Sequence, residues 1–331
     1  MIIDTHAHFT PQSLLGALAN KISQFPNVEL LHQDDSYQLV FAGLAPTRPL
    51  SPKLRETEMR LAWMDEQSID AQIVGGWLDS FGYELPGEEG AAWSRFLNEF
   101  QMRGTDGLDR FTPLASVPLQ DGRRAATVLE EALGAGFKGV MIGTQSRGSE
   151  GNLDDPDLDP FWEAADGLGA TVYCHPMFGC GDPRLLDYDM INAVGRGSDT
   201  TTAVARMLFA GHFLKYPKMN FILSHGGGAI PYMLGRLARN HEIHPGKYAD
   251  PVAGFKKLYF DSVLFAPNAL DYLCSCCGHD KVMLGSDYPF PIGDGEPLKV
   301  VKAANMNESQ RQMILGDTAA RLFSQHPGRL P

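Results

Sequence analysis

The chain lacks any excess of positive charge. Its 28 basic residues stand against 40 acidic ones, a formal net charge of −12, which disfavours nucleic acid and anionic membranes as main partners. No apolar run approaches the roughly 18 residues that span a bilayer. The N-terminal MIIDTHAHF has neither the basic nor the long apolar segment of a secretory leader. Cysteine is scarce, with five in 331 residues. Cys174 and Cys180 flank His175, and Cys274, Cys276 and Cys277 crowd together, and reduced thiols in a cytoplasmic protein are expected. The glycine run His225-Gly-Gly-Gly228 lacks the Lys-Ser/Thr of a phosphate loop and the spacing of a dinucleotide fingerprint. It is similar to a lipase oxyanion motif, but no G-x-S-x-G nucleophile accompanies it. A tight turn is the remaining reading.

What is present is an alternation. With 44% hydrophobic and 21% charged residues, the composition is that of a globular chain able to bury a sizeable core. Eight short apolar runs read as strands: residues 1–5, 71–77, 111–117, 139–142, 171–174, 220–224, 258–262 and 281–285. Segments of helical periodicity lie between or after them, at 51–67, 88–102, 122–136, 159–167, 200–216, 230–240, 266–277 and 308–323. Eight strand–helix units predict an α/β fold, a closed (β/α)8 TIM barrel over residues 1–331. Two segments depart from the repeat. VELLHQDDSYQLVFAG, residues 28–43, reads as a β-hairpin within an insertion at 10–50 after the first strand. Residues 179–198, rich in Gly, Asp and Arg, predict an irregular active-site loop.

Chemistry gathers at predicted strand ends. His6 and His8 follow the first run in D-T-H-A-H, and the two-residue alternation of a strand aims both imidazoles to one side. His175 follows TVYC, His225 follows NFILS and Asp287 follows KVMLGS. Barrel enzymes place their working residues at this edge. A single histidine there is commonly a packed core residue. Imidazoles and a carboxylate at four strand ends would need costly desolvation without a shared purpose, and a divalent metal supplies one.

The order and spacing resemble the amidohydrolase superfamily. SHGGGAIPYMLGR (224–236) and VMLGSDYPFPIG (282–293) are similar to its aminocarboxymuconate semialdehyde decarboxylase group, and WMDEQSIDAQ (63–72) and LASVPLQD (114–121) add weaker likeness. The resemblance implies a distorted barrel and one divalent metal per subunit, Zn2+ or else Mn2+, on His6, His8, His175 and Asp287. Its binuclear members use a lysine or glutamate at the end of the fourth strand, where KGVMIG here runs into Gly143-Thr144-Gln145. The resemblance further implies acid–base work by His225 with Asp287, and substrate contacts by Arg48 and Phe290. Arg236 is implied to reach the active site of the neighbouring subunit in a homodimer. The tryptophan-bearing loop of the group has no counterpart at 177–198, where the aromatics are Phe178 and Tyr188.

Losing a carboxylate as carbon dioxide leaves an electron pair on carbon. The enzyme must therefore supply an acceptor or protonate that carbon. A metal that polarises an oxygen or activates water, with a histidine that titrates near neutrality, meets the need. Arginine forks on the walls point to a small anionic carboxylate substrate. The expected activity is a metal-dependent, non-oxidative decarboxylase acting on a carboxymuconate semialdehyde or related catabolite. The alternative is a hydrolase or hydratase of a lactone or unsaturated diacid on the same scaffold.

Overall fold

Each apolar run becomes a strand of one closed sheet. The computed structural model describes residues 1–148, 150–177 and 181–324. The barrel strands are β1 (Ile3–His8), β4 (Ala71–Gly75), β5 (Phe111–Pro113), β6 (Val140–Gly143), β7 (Thr171–His175), β8 (Asn220–Leu223), β9 (Leu258–Asp261) and β10 (Val282–Met283). All neighbouring pairs run parallel, in the order β1-β4-β5 and β6-β7-β8-β9-β10. Two seams close the ring. The bridge Ala115↔Val140 joins β5 to β6, and Thr5 N–H to the Leu284 carbonyl and His8 N–H to the Tyr288 carbonyl, both 2.8 Å, join β1 to the chain after β10. The fold is a distorted (β/α)8 barrel.

Strand bounds differ from expectation for local reasons. β1 continues through His8 instead of stopping at Thr5, so both histidines are strand residues. β5 stops at Pro113, which has no amide proton to donate to the ladder. β10 is shorter than 281–285 because the chain turns at Ser286, whose amide donates to the Asp4 carboxylate at 3.0 Å. Helices shift likewise. The expected helix 51–67 is broken at Glu56, an extended residue between Pro52–Arg55 and Thr57–Gln67. The helix expected at 200–216 starts earlier, at Arg196, and ends at Gly211, whose positive φ of 78° breaks it before His212–Lys215.

The predicted hairpin forms from β2 (Val28–Gln33) and β3 (Ser36–Phe41), antiparallel around Asp34 and Asp35. Both turn residues have positive φ, the geometry of a two-residue loop that matches strand twist. β3 also holds the segment that follows it. Thr47 N–H donates to the Leu39 carbonyl at 2.8 Å, and the Thr47 hydroxyl accepts from Leu39 N–H at 3.0 Å. That grip carries Arg48 toward the mouth of the barrel.

Behind β1 lies a buried polar network. Arg60, fully enclosed on the Thr57–Gln67 helix, donates to Gln72 Oε1 at 2.9 Å and to the His8 carbonyl. Gln72 passes the connection to Asp4 at 2.7 Å, and the Ser286 hydroxyl donates to the same Asp4 oxygen at 2.6 Å. The guanidinium also packs over the rings of Tyr288, Phe9 and Phe111. The network therefore ties β1, β4 and the segment after β10 at the level of the histidines. Arg60→Ala is expected to cost about 3–5 kcal/mol, the loss typical of removing one partner from a buried charged network. Urea unfolding measures it, and a loss below about 1 kcal/mol would exclude this role.

Candidate active site and metal centre

The histidines and Asp287 meet at one point. His6 Nε2 lies 3.3 Å from His8 Nε2, and both lie 3.2 Å from Asp287 Oδ1. His175 Nε2 is 3.8 Å from the same oxygen. A tetrahedron with bonds of about 2.0–2.1 Å has edges near 3.3 Å, so the first three contacts have the spacing of atoms around a zinc-sized ion. A set with His225 in place of His8 also has its ligand atoms within 4.8 Å of one another. His225 differs in its approach, because its Nε2 lies 3.2 Å from Oδ2, while the other three gather on Oδ1.

Hydrogen bonding fixes what those nitrogens present. His6 Nδ1 donates to Asp261 Oδ2 at 2.7 Å, His8 Nδ1 to the Gly76 carbonyl at 3.0 Å and His175 Nδ1 to the Pro176 carbonyl at 2.8 Å. Those partners can only accept, so in the neutral rings each Nε2 turns a lone pair toward Asp287 Oδ1, itself an acceptor. Asp287 Oδ1 and His175 Nε2 are buried with no hydrogen-bond partner among the described residues. Four acceptor atoms facing each other require a cation between them. Burial holds His8 below the ordinary histidine range and His175 well below it. At His6 burial is outweighed by Asp287 and Asp261, which raise it to about 10. Asp287 stays well below the usual carboxylate range despite its burial, because of the charge of His6 and the imidazoles of His175 and His225 beside it. A proton on His6 supplies part of the charge that a divalent ion would bring in full.

Asp261, at the end of β9, organises the floor. Its carboxylate takes His6 Nδ1–H, the Tyr173 hydroxyl at 3.0 Å, and the backbone N–H groups of His225, Gly226 and Val263 at 3.0–3.1 Å. Those contacts hold His225 at φ 53°, and Asp287 sits at φ 60°. Left-handed backbone costs a non-glycine residue about 1 kcal/mol or more, and two residues that bear that cost lie at this centre. The glycines after His225 do form a tight turn. Gly226, Gly227 and Gly228 all have positive φ, and a Cβ at Gly228 would come within 2.5 Å of the Gly197 carbonyl oxygen.

Above the floor opens a cavity of about 640 Å³ whose lining includes His175, His225, Asp287, Phe290, Arg48 and Arg196. Arg48 is held by Asp79 through two bonds of 2.8 and 2.9 Å, with its guanidinium 5.6 Å from the centre of the Phe290 ring. Phe290 in turn packs 5.0 Å from the His8 ring. Arg236 is not in the wall of this cavity. It is exposed on the Ile230–Glu242 helix, with no ion pair among the described residues. The 177–198 segment does line the site, through Leu185, Leu186, Asp189, Ile191, Asn192 and Ala193. Tyr188 points away, 91% exposed. Phe178 lies outside the described residues.

Residues 3–325 match the Amidohydrolase family. The chain belongs to the amidohydrolase family. It is 27% identical to a 2-amino-3-carboxymuconate-6-semialdehyde decarboxylase of Dictyostelium discoideum, an alignment covering 99% of this chain and 92% of that one. It is 25% identical to a gamma-resorcylate decarboxylase of a Polaromonas species over 85% and 93% of the two chains. The crystal structure of 5-carboxyvanillate decarboxylase from Sphingomonas paucimobilis matches with a TM-score of 0.80 at 25% identity, covering 98% of each chain. A 5-carboxyvanillate decarboxylase from Novosphingobium aromaticivorans, solved with manganese bound, shares the fold at a TM-score of 0.78 and 20% identity over 98% and 97% of the chains. An amidohydrolase barrel with a His/Asp cluster suited to a divalent metal is thus the setting for the chemistry.

Two residues of this amidohydrolase site escaped the sequence reading. Asp261 ends the apolar run LYFD in the same manner as His175 ends TVYC, so a signal existed. Arg196 opens the Arg196–Ala210 helix, and nothing in its neighbours marks it. Asp261→Asn keeps the size but replaces an acceptor oxygen with a donor. It should weaken divalent-metal affinity by about 10–100-fold, as outer-layer carboxylates do. Chelator competition with zinc reads the change, and unaltered affinity would show that Asp261 serves folding alone.

Proposed function

We propose that the chain is a metal-dependent, non-oxidative decarboxylase of a conjugated or aromatic carboxylate, with 2-amino-3-carboxymuconate 6-semialdehyde or a close analogue as substrate. One observation carries this reading: acceptor atoms that demand a cation form the floor of a cavity whose walls bear guanidinium groups. The decarboxylase relatives support it. His6, His8, His175 and Asp287 hold the ion, and three imidazoles with one carboxylate favour zinc, with manganese as the alternative. A single ion suits the end of β6, where the residues that follow the strand, Thr144 and Gln145, are neither carboxylate nor lysine and hydrogen-bond to Asp199.

When bound, the ion supplies Lewis acidity to a substrate oxygen or to water. His225 manages the proton, which it holds at Nε2 against Asp287 Oδ2. It passes that proton to the substrate carbon bearing the carboxylate. The bond from this carbon to the carboxylate then breaks, its electron pair returns to the conjugated system, and carbon dioxide leaves. His225 regains a proton from solvent. Arg48 binds a substrate carboxylate and Phe290 covers the conjugated plane. Arg236, exposed on its own subunit, completes the site of a partner in a homodimer. The described cysteines are all free, as a reducing cytoplasm would leave them.

The test is a panel of muconate semialdehydes and hydroxybenzoates incubated with metal-loaded protein. Carbon dioxide release equal to substrate loss is expected, whereas water incorporation without it would establish the hydratase or hydrolase alternative. His225→Ala should lower turnover by about 10²–10⁴-fold while metal content stays stoichiometric. Asp287→Ala should lose metal and activity together, as read by elemental analysis. Co-expressed His225→Ala and Arg236→Ala subunits, each inactive alone, should recover about a quarter of wild-type activity if sites are shared across a dimer.

A further inference from the structure

The described residues place a second guanidinium in the cavity wall, contributed by the same chain as His225. Arg196 enters from the helix that follows the 177–195 segment. It donates Nη1–H to the Pro176 carbonyl at 3.0 Å, and no carboxylate bonds it among the described residues. The nearest candidate on its own helix, Asp199, is occupied by Thr144 and Gln145. Arg48 differs, because Asp79 neutralises it through two bonds. Burial depresses Arg196 below the ordinary arginine range, and the nearby charge of Arg48 adds to the effect.

Arg196 also stands on a boundary. A second cavity of about 360 Å³ adjoins the first, and Arg48, Asp79, Ile191 and Arg196 line both. Among the residues shared by both cavities two guanidiniums stand against one carboxylate, Asp79, which is bonded to Arg48, while Asp189 lines only the first cavity and Glu84 only the second. A planar fork with donors to spare, half-buried and without a carboxylate of its own, is a fitted receptor for a carboxylate.

We infer that Arg196 is a specificity-determining residue that binds a second carboxylate of the substrate, so that the preferred class is a conjugated or aromatic diacid. The first carboxylate lies at the floor and is lost. The second stays bound between the cavities and appears in the product. This inference rests on the decarboxylase reading.

Its test compares 4-hydroxyisophthalate with 2-hydroxybenzoate, which differ by one ring carboxylate, on metal-loaded wild type, Arg196→Met and Arg196→Lys. Arg196→Met should reduce kcat/KM for the diacid by about 10–100-fold, the range of a lost charged hydrogen bond, and leave the monoacid within about twofold. Arg196→Lys should fall between, since it keeps charge and loses the fork. Equal losses on both compounds would overturn the inference, because they would mean that Arg196 acts only through the Pro176 carbonyl that His175 shares. No effect on either would overturn it as well. If neither compound is decarboxylated, that failure counts against the decarboxylase reading, and calorimetry still decides Arg196. Isophthalate should then bind wild type more tightly than benzoate and lose that preference in Arg196→Met, whereas a retained preference would overturn the proposal.

Discussion

Four acceptor atoms pressed together in the mouth of a barrel are the constraint on which the rest of this structure depends. Three imidazoles spend their protons outward, on Asp261 and on the carbonyls of Gly76 and Pro176. Their second nitrogens are thereby committed to face the Asp287 carboxylate. Such an arrangement is unfavourable in a low dielectric unless positive charge sits among the four. The surrounding layers read as the means of holding it. Asp261 sets His6 and the turn at His225, and the chain from Arg60 through Gln72 to Asp4 and Ser286 holds β1 against the segment that delivers Asp287.

The same floor sets the direction of the chemistry. His225 is joined to the cluster through the other oxygen of Asp287, so it sits beside the cation position and faces the open cavity. A proton donor placed there can act on whatever the cation orients. The walls then decide which molecule arrives. Net charge, at −12 for the chain, concerns the outer surface and solubility. Within the cavity the balance is local, made by Arg48 with its Asp79 partner and by Arg196, which no carboxylate bonds among the described residues.

Much of the barrel was legible because strands buried on both faces are written as short apolar runs, and helices between them as longer periodic segments. Strand ends were less so. They are decided by competition for single amides, as at Ser286, where a side chain of β1 takes the N–H that a longer β10 would have used. Helix ends followed the same pattern, since the irregularity read across residues 179–198 concealed a helix that begins at Arg196.

By itself the sequence determined that an alternating α/β chain would carry His6, His8, His175, His225 and Asp287 at strand ends, because strand periodicity and apolar runs are local properties. The tertiary structure decided their work. Which ring nitrogen carries a proton depends on Asp261 for His6 and Gly76 for His8, which reach them from other strands or turns, and on the adjacent Pro176 for His175. That Arg48 has a carboxylate partner and Arg196, among the described residues, has none depends on contacts between segments far apart in the chain. Charge and hydrogen bonding act through space at 3 to 4 Å, and only the closed barrel brings these atoms within that range.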